Sequence, residues 1–246
     1  MDVVILLAAG IGTALATGLG ATPVWFLGGR SENLRPALWG FAAGTMGVVS
    51  VVGLLAPALD EGSVPAVGLG LAIGAGFMLA TKRYLSAHRI TVHGRQGEGV
   101  RSSVLVFAVL FVHSFPEGLA MGTAFASNTA GLGLYVIVAI ALQNIPEGTS
   151  VAIPMAAAGF SKVQQFWAAV VTSVPQPIAA IVAYALVERV DALLPVSFAF
   201  AAGAMLSLVV LEVLPQALAR GDRSAGLTGV TAGSALMLAL SAVLGV

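Results

Sequence analysis

Charge is absent from long stretches of this 246-residue chain. Residues 3–29, 36–59, 163–187, 192–211 and 224–246 contain no Asp, Glu, Lys or Arg. An apolar run of about 20 residues is the length of helix that crosses the hydrocarbon of a bilayer. With 58% hydrophobic and 9% charged residues, against roughly 25% charged in a soluble domain, the chain reads as an integral membrane protein. Period-two alternation is missing, which argues against a transmembrane β-barrel. The expected fold class is therefore all-α, a polytopic membrane helix bundle.

Eight segments satisfy the length criterion, at about 3–28, 36–59, 64–86, 102–126, 131–156, 162–187, 194–218 and 225–246, with a loop at about 87–101. Together they make residues 1–246 a single transmembrane domain. The first segment reads as a span rather than a cleaved leader, because no Lys or Arg forms a basic region before it. Basic residues concentrate in cytoplasmic loops. Arg30, Arg35, Lys82, Arg83, Arg89, Arg95, Arg101, Lys162, Arg220 and Arg223 all fall on one side of an eight-span chain, and only Arg189 falls on the other. Both termini are thus expected outside the cytoplasm, in a multi-pass protein of the inner, or plasma, membrane. A wrong segment count would have scattered these charges over both sides.

A weak internal repeat refines the topology. AAGTMGVVSVVGLLAPAL from Ala42 in the second segment resembles AAGAMLSLVVLEVLPQAL from Ala201 in the seventh. Those two segments run in opposite directions, as do the fourth and fifth. The pattern fits two three-helix units of opposite topology around a central pair, a 3+2+3 inverted repeat of the kind that builds transporters with a site near mid-membrane. Small residues along several segments would also permit a homodimer. A net charge of zero gives no reason to expect a nucleic-acid partner, and the lipid bilayer is the expected surrounding.

Against this background two strings stand out, HSFPEG at His113–Gly118 and QNIPEG at Gln143–Gly148. Each places a glutamate inside an apolar segment, where a charge is costly unless it meets a partner, a cation or water. At about 100° per residue, Glu117 lies about 40° around the helix from His113 and about 60° from Ser114. Glu147 stands in the same relation to Gln143 and Asn144. One face pair, His113 with Glu117 and Gln143 with Glu147, supplies an imidazole, two carboxylates and an amide oxygen for a cation. The other, Ser114 and Asn144 with the shared glutamates, makes a weaker second position. Pro116 and Pro146 lack the N–H that would bond the carbonyls of Val112 and Leu142 and are expected to bend their helices.

At these residues the chain resembles the ZIP family of divalent metal transporters. The likeness extends over nearly the whole length, with eight spans, a basic loop between the third and fourth, and paired PEG motifs similar to the family's HNxPEG strings. The resemblance implies a primary metal site of His113, Glu117, Gln143 and Glu147, and a second of Ser114, Glu117, Asn144 and Glu147. Ser114 stands where the family usually has asparagine, which weakens the second position. Pro175-Gln176-Pro177 stands where bacterial relatives often carry a metal-binding glutamate between prolines, so Gln176 contributes a neutral amide or caps a kink. Glu212 is similar to an acidic position that assists metal exit in relatives.

Imidazole with carboxylate and amide oxygen suits Zn²⁺, and also Cd²⁺, Fe²⁺, Mn²⁺, Co²⁺ or Ni²⁺, while the absence of cysteine argues against Cu⁺. The metal is the transported substrate, and no cofactor is implied. His88 and His93 in the 87–101 loop are either cytoplasmic metal captors or solvated loop residues. The expected function is zinc uptake into the cytoplasm by a secondary transporter, since no P-loop is present. A metal-dependent intramembrane hydrolase is the first alternative, but neither H-E-x-x-H nor G-x-S-x-G occurs. A non-transporting receptor or scaffold is the second, and it leaves the buried glutamates without a reason.

Overall fold

The computed structural model describes residues 2–87, 98–218 and 223–246. Eight helices are long and apolar enough to cross a membrane, and among the described residues there is no strand. They are α1 (Val3–Leu27), α2 (Ser31–Glu61), α3 (Val64–Leu85), α4 (Ser103–Ala126), α5 (Leu132–Ala157), α6 (Lys162–Val187), α7 (Leu193–Leu218) and α8 (Arg223–Leu244). His88 and His93 lie outside the described residues. An even number of crossings puts both ends on one face, the terminal face. The opposite, basic face holds the turns from α1 to α2, α3 to α4, α5 to α6 and α7 to α8.

Four of the helices are irregular where the sequence removes backbone donors. α1 is interrupted at Ala21 and resumes at Thr22 with Pro23 in its first turn. α6 starts in a reciprocal cap between Ser161 and Gln164, stops at Thr172, and resumes at Pro175. A proline in the first turn forfeits only an N–H that has no intrahelical partner. α2 and α7 each contain a π-helical stretch, Val49–Leu55 and Val209–Val213. Aligning Ala42 with Ala201 places these stretches opposite one another, with Pro57 and Pro215 just beyond them. Pro215 has no N–H for the carbonyl of Leu211, and the Lys82 ammonium donates to that oxygen instead, at 3.0 Å. In contrast, α4 and α5 run unbroken through Pro116, Pro146 and Pro154.

Glycine decides which helices touch. On α2, a Cβ at Gly44 would land on the carbonyl oxygen of Val230 in α8, and one at Gly233 of α8 would land on that of Phe41. α3 and α7 meet the same way, through Gly74 on Phe200 and Gly203 on Leu71. In membranes such small-residue faces let dispersion contacts accumulate where no hydrophobic driving force operates. α1 lies along α5 and α4 along α6 by equivalent contacts, Gly148 against the Thr17 carbonyl and Gly118 against that of Gln176. The bundle therefore divides into α2, α3, α7 and α8 on one side and α1, α4, α5 and α6 on the other, joined by α4 on α7 and α5 on α2.

Toward the terminal face these two groups close around buried apolar residues including Met121, Tyr135, Ile140 and Phe198. Gly44→Val should lower the melting temperature of the detergent-purified protein, because over-packing a close contact costs about 1–3 kcal/mol. Gly76→Val, at a position with nothing within 4 Å, should leave it unchanged. Equal melting temperatures for the two variants would refute the contact-based account.

Candidate metal centre

The two PEG helices lie against each other with their glutamates inward, and α5 is the most enclosed of the eight spans. His113, Glu117 and Gln143 are fully buried, and Glu147 is 3% exposed. His113 Nε2 is 3.2 Å from Glu117 Oε1 and 3.7 Å from Glu147 Oε1. One ligand atom from each of His113, Glu117 and Glu147 fits within 4.8 Å of the others, compatible with one ion bound at about 2.0–2.2 Å from each. Gln143 Nε2 donates to Glu117 Oε1, which puts the fourth expected residue beside the same carboxylate.

Polar atoms left without partners point the same way. His113 Nδ1 and Gln143 Oε1 are buried with no hydrogen-bond partner, and His113 Nε2 has only the two carboxylates beside it, without an aligned hydrogen bond to either. A buried donor or acceptor without a partner costs about 1–3 kcal/mol, and such groups mark ion, water or catalytic positions. Others lie on Trp25, Trp39, Tyr135 and Gln165, but only those of His113 and Gln143 sit beside two buried carboxylates. The donor set of imidazole nitrogen, carboxylate oxygens and amide oxygen fits a borderline divalent ion such as zinc.

Behind this cluster is a second, closed polar group. Gln176 opens the outer half of α6 and sends its Nε2 to Glu117 Oε2 at 2.6 Å and to Asn144 Oδ1 at 3.1 Å. Asn144 Nδ2 donates to Gln176 Oε1 at 3.0 Å and to the Thr13 carbonyl at 2.9 Å. Ser114, expected at the weaker position, donates back to the carbonyl of Leu110 at 3.0 Å. Thr17 and Ser173 share a hydrogen bond of 2.6 Å that ties α1 to the break in α6.

Glu212 is not brought into the cluster. Its carboxylate pairs with Lys82 at 3.2 Å, and a cavity of about 40 Å³ separates it from Glu147. Trp39, Met46, Val109 and Leu208 wall that cavity, which exceeds the about 10–15 Å³ that one water needs. Its α4 and α7 lining, Val106, Val109, Leu110, Leu208, Glu212, Val213 and Gln216, lies toward the basic-face ends of those helices. Thr13, Thr17, Ser173 and Lys82 are the residues that the sequence reading missed. The only signal for the threonines was their four-residue spacing in an apolar helix.

A polytopic helix bundle built round a buried imidazole and carboxylate cluster defines the class as that of membrane metal carriers. The family described as ZIP zinc transporter matches residues 81–241, and the chain belongs to that family. Zinc transporter GufA of Myxococcus xanthus is 33% identical over 241 residues, covering 94% of this chain and 95% of its own length. Zinc transporter ZIPB of Bordetella bronchiseptica is 34% identical over 248 residues, covering 94% and 78%. Zinc transporter ZupT of Salmonella paratyphi A is 30% identical over 254 residues, covering 96% and 94%. A longer protein of Arabidopsis thaliana is 34% identical over 235 residues, which are 93% of this chain but 37% of that protein.

X-ray absorption of the zinc-loaded protein should contain one imidazole with oxygen neighbours. His113→Ala should remove the imidazole signature and weaken zinc binding by more than the about 10–100-fold typical of losing an outer-shell partner. An imidazole signature that survives the substitution would place another histidine on the metal.

Proposed function

We propose that this chain is a secondary transporter, not an enzyme, that carries zinc across the inner membrane into the cytoplasm, with His113, Glu117, Gln143 and Glu147 as the ligands of the transported ion. The observation that carries this reading is the buried cluster of His113, Glu117 and Glu147, with ligand atoms within 4.8 Å of one another, beside the unpartnered Oε1 of Gln143 at the middle of α4 and α5. Names of relatives that span most of the chain support zinc as the ion. Cd²⁺, Fe²⁺, Mn²⁺, Co²⁺ and Ni²⁺ suit the same ligands and are expected to compete.

Charge and the cavity support this direction. Basic loops are retained in the cytoplasm, so the basic face is cytoplasmic and the termini are outside. Glu147 borders the cavity that leads toward that face, and the terminal-face side of the cluster is packed with apolar side chains. This arrangement is an inward-facing one. The ion leaves past Glu147 toward Glu212, whose charge Lys82 balances when no metal is near.

The helix contacts indicate what moves. Exchanging α1 with α6, α2 with α7, α3 with α8 and α4 with α5 turns the α2–α8 contact into α7–α3, and α1–α5 into α6–α4. That correspondence, with matched π-helical stretches in α2 and α7, supports the inverted repeat. Its two halves are interleaved, so rocking of three-helix units against the central pair would break the glycine contacts. Motion of α1, α4, α5 and α6 together against the other four keeps those contacts and carries the whole site.

Glu117→Gln and Glu147→Gln should each abolish zinc uptake into proteoliposomes while the protein stays folded and monodisperse. Unchanged uptake in both refutes the ligand assignment. Glu212→Gln should slow uptake at least several-fold with zinc affinity unaltered, and a matched loss of affinity would make Glu212 a ligand rather than an exit residue.

A further inference from the structure

The two positions that the PEG faces create differ in one respect: the first still offers a buried ligand oxygen without a partner, Gln143 Oε1, and the second is already filled by a side chain. Gln176 is fully buried. A primary amide has two donors and two acceptor sites, and both donors and at least one acceptor site are used. Nε2 donates to Glu117 Oε2 at 2.6 Å and Asn144 Oδ1 at 3.1 Å, while Oε1 accepts from Asn144 Nδ2 at 3.0 Å and lies 2.9 Å from Thr13 Oγ1, whose single proton is divided between it and the Gly10 carbonyl. The two oxygens that receive its N–H groups are oxygens that a second cation would take. Ser114 Oγ, a further member of that set, is turned to the carbonyl of Leu110.

We infer that Gln176 is a built-in occupant of the second cation position and the residue that sets the number of ions carried, so that this transporter moves one divalent metal at a time. The inference rests on the metal-site reading above. Charge points the same way: one divalent ion on Glu117 and Glu147 gives a neutral buried group. A second would leave two uncompensated positive charges away from water, a state that buried sites avoid. Replacing Gln176 by glutamate removes the two competing donors and adds a third carboxylate, while Thr13 and Asn144 can still donate to it.

The test is the zinc and cadmium content of purified, monodisperse protein at equilibrium with buffered free metal, for the wild-type chain, Gln176→Glu and Glu117→Gln. One ion per wild-type chain is expected, about two for Gln176→Glu, and a loss of binding for Glu117→Gln. Zinc-edge scattering of the wild-type protein should lack a metal neighbour at about 3.5–4 Å, the spacing of two-metal sites. Two ions per wild-type chain, a metal neighbour in its scattering, or one ion in a well-folded Gln176→Glu would overturn the inference while leaving the site assignment intact. Absence of wild-type binding, or binding indifferent to Glu117→Gln, would instead refute the site itself. If Gln176→Glu fails to fold, the wild-type stoichiometry and scattering still decide.

Discussion

Holding Glu117 away from water is the constraint on which the rest of this structure depends. A carboxylate at mid-membrane needs several donors or a cation close by, and the chain supplies them from three helices. His113 lies on the same face one turn earlier, Gln143 reaches it from α5, and Gln176 reaches it from α6. Each approach requires close-set backbones, which explains why the glutamates are followed by glycine. At Gly118 the neighbour is the carbonyl of Gln176 itself, and at Gly148 it is the carbonyl of Thr17.

Close packing of this kind also separates the roles of the two helix groups. Among the described residues, α1, α4, α5 and α6 hold the hydrogen-bond and ion-pair partners of the Glu117 carboxylate and its network. α2, α3, α7 and α8 contribute an apolar wall, the Lys82 and Glu212 pair and one side of the cavity. A buried ionic or polar network is a poor source of net stability, so cohesion must come from the glycine-lined contacts within each group. The polar network then serves orientation. It fixes which lone pairs of Glu117 are taken and which remain toward His113.

Much of this was legible in the chain. Charge-free runs reveal eight crossings because the bilayer imposes one length on all of them, and helical periodicity turns the PEG strings into two adjacent faces. Other features depend on contacts between remote segments. Lys82 finds the Leu211 carbonyl 129 residues away, and Glu212 next to it, and no local pattern announces that pairing. Thr13 and Thr17 resemble the many membrane threonines that bond back to their own helix, and both also do so. Ser114 looked like a ligand by spacing alone, yet its hydroxyl has a carbonyl one turn back to satisfy it. Gln176 looked like a weakened ligand or a kink residue. Its full set of partners became visible only when the break in α6 brought it against α1 and α5.

The contact between Gly118 and the backbone of position 176 separates shape from chemistry. Because α6 is seated on α4 through a main-chain oxygen, the side chain at 176 is free to vary without disturbing how the two helices meet. Exchanging amide for carboxylate there would alter how much charge the site accommodates while leaving the backbone contact at Gly118 in place.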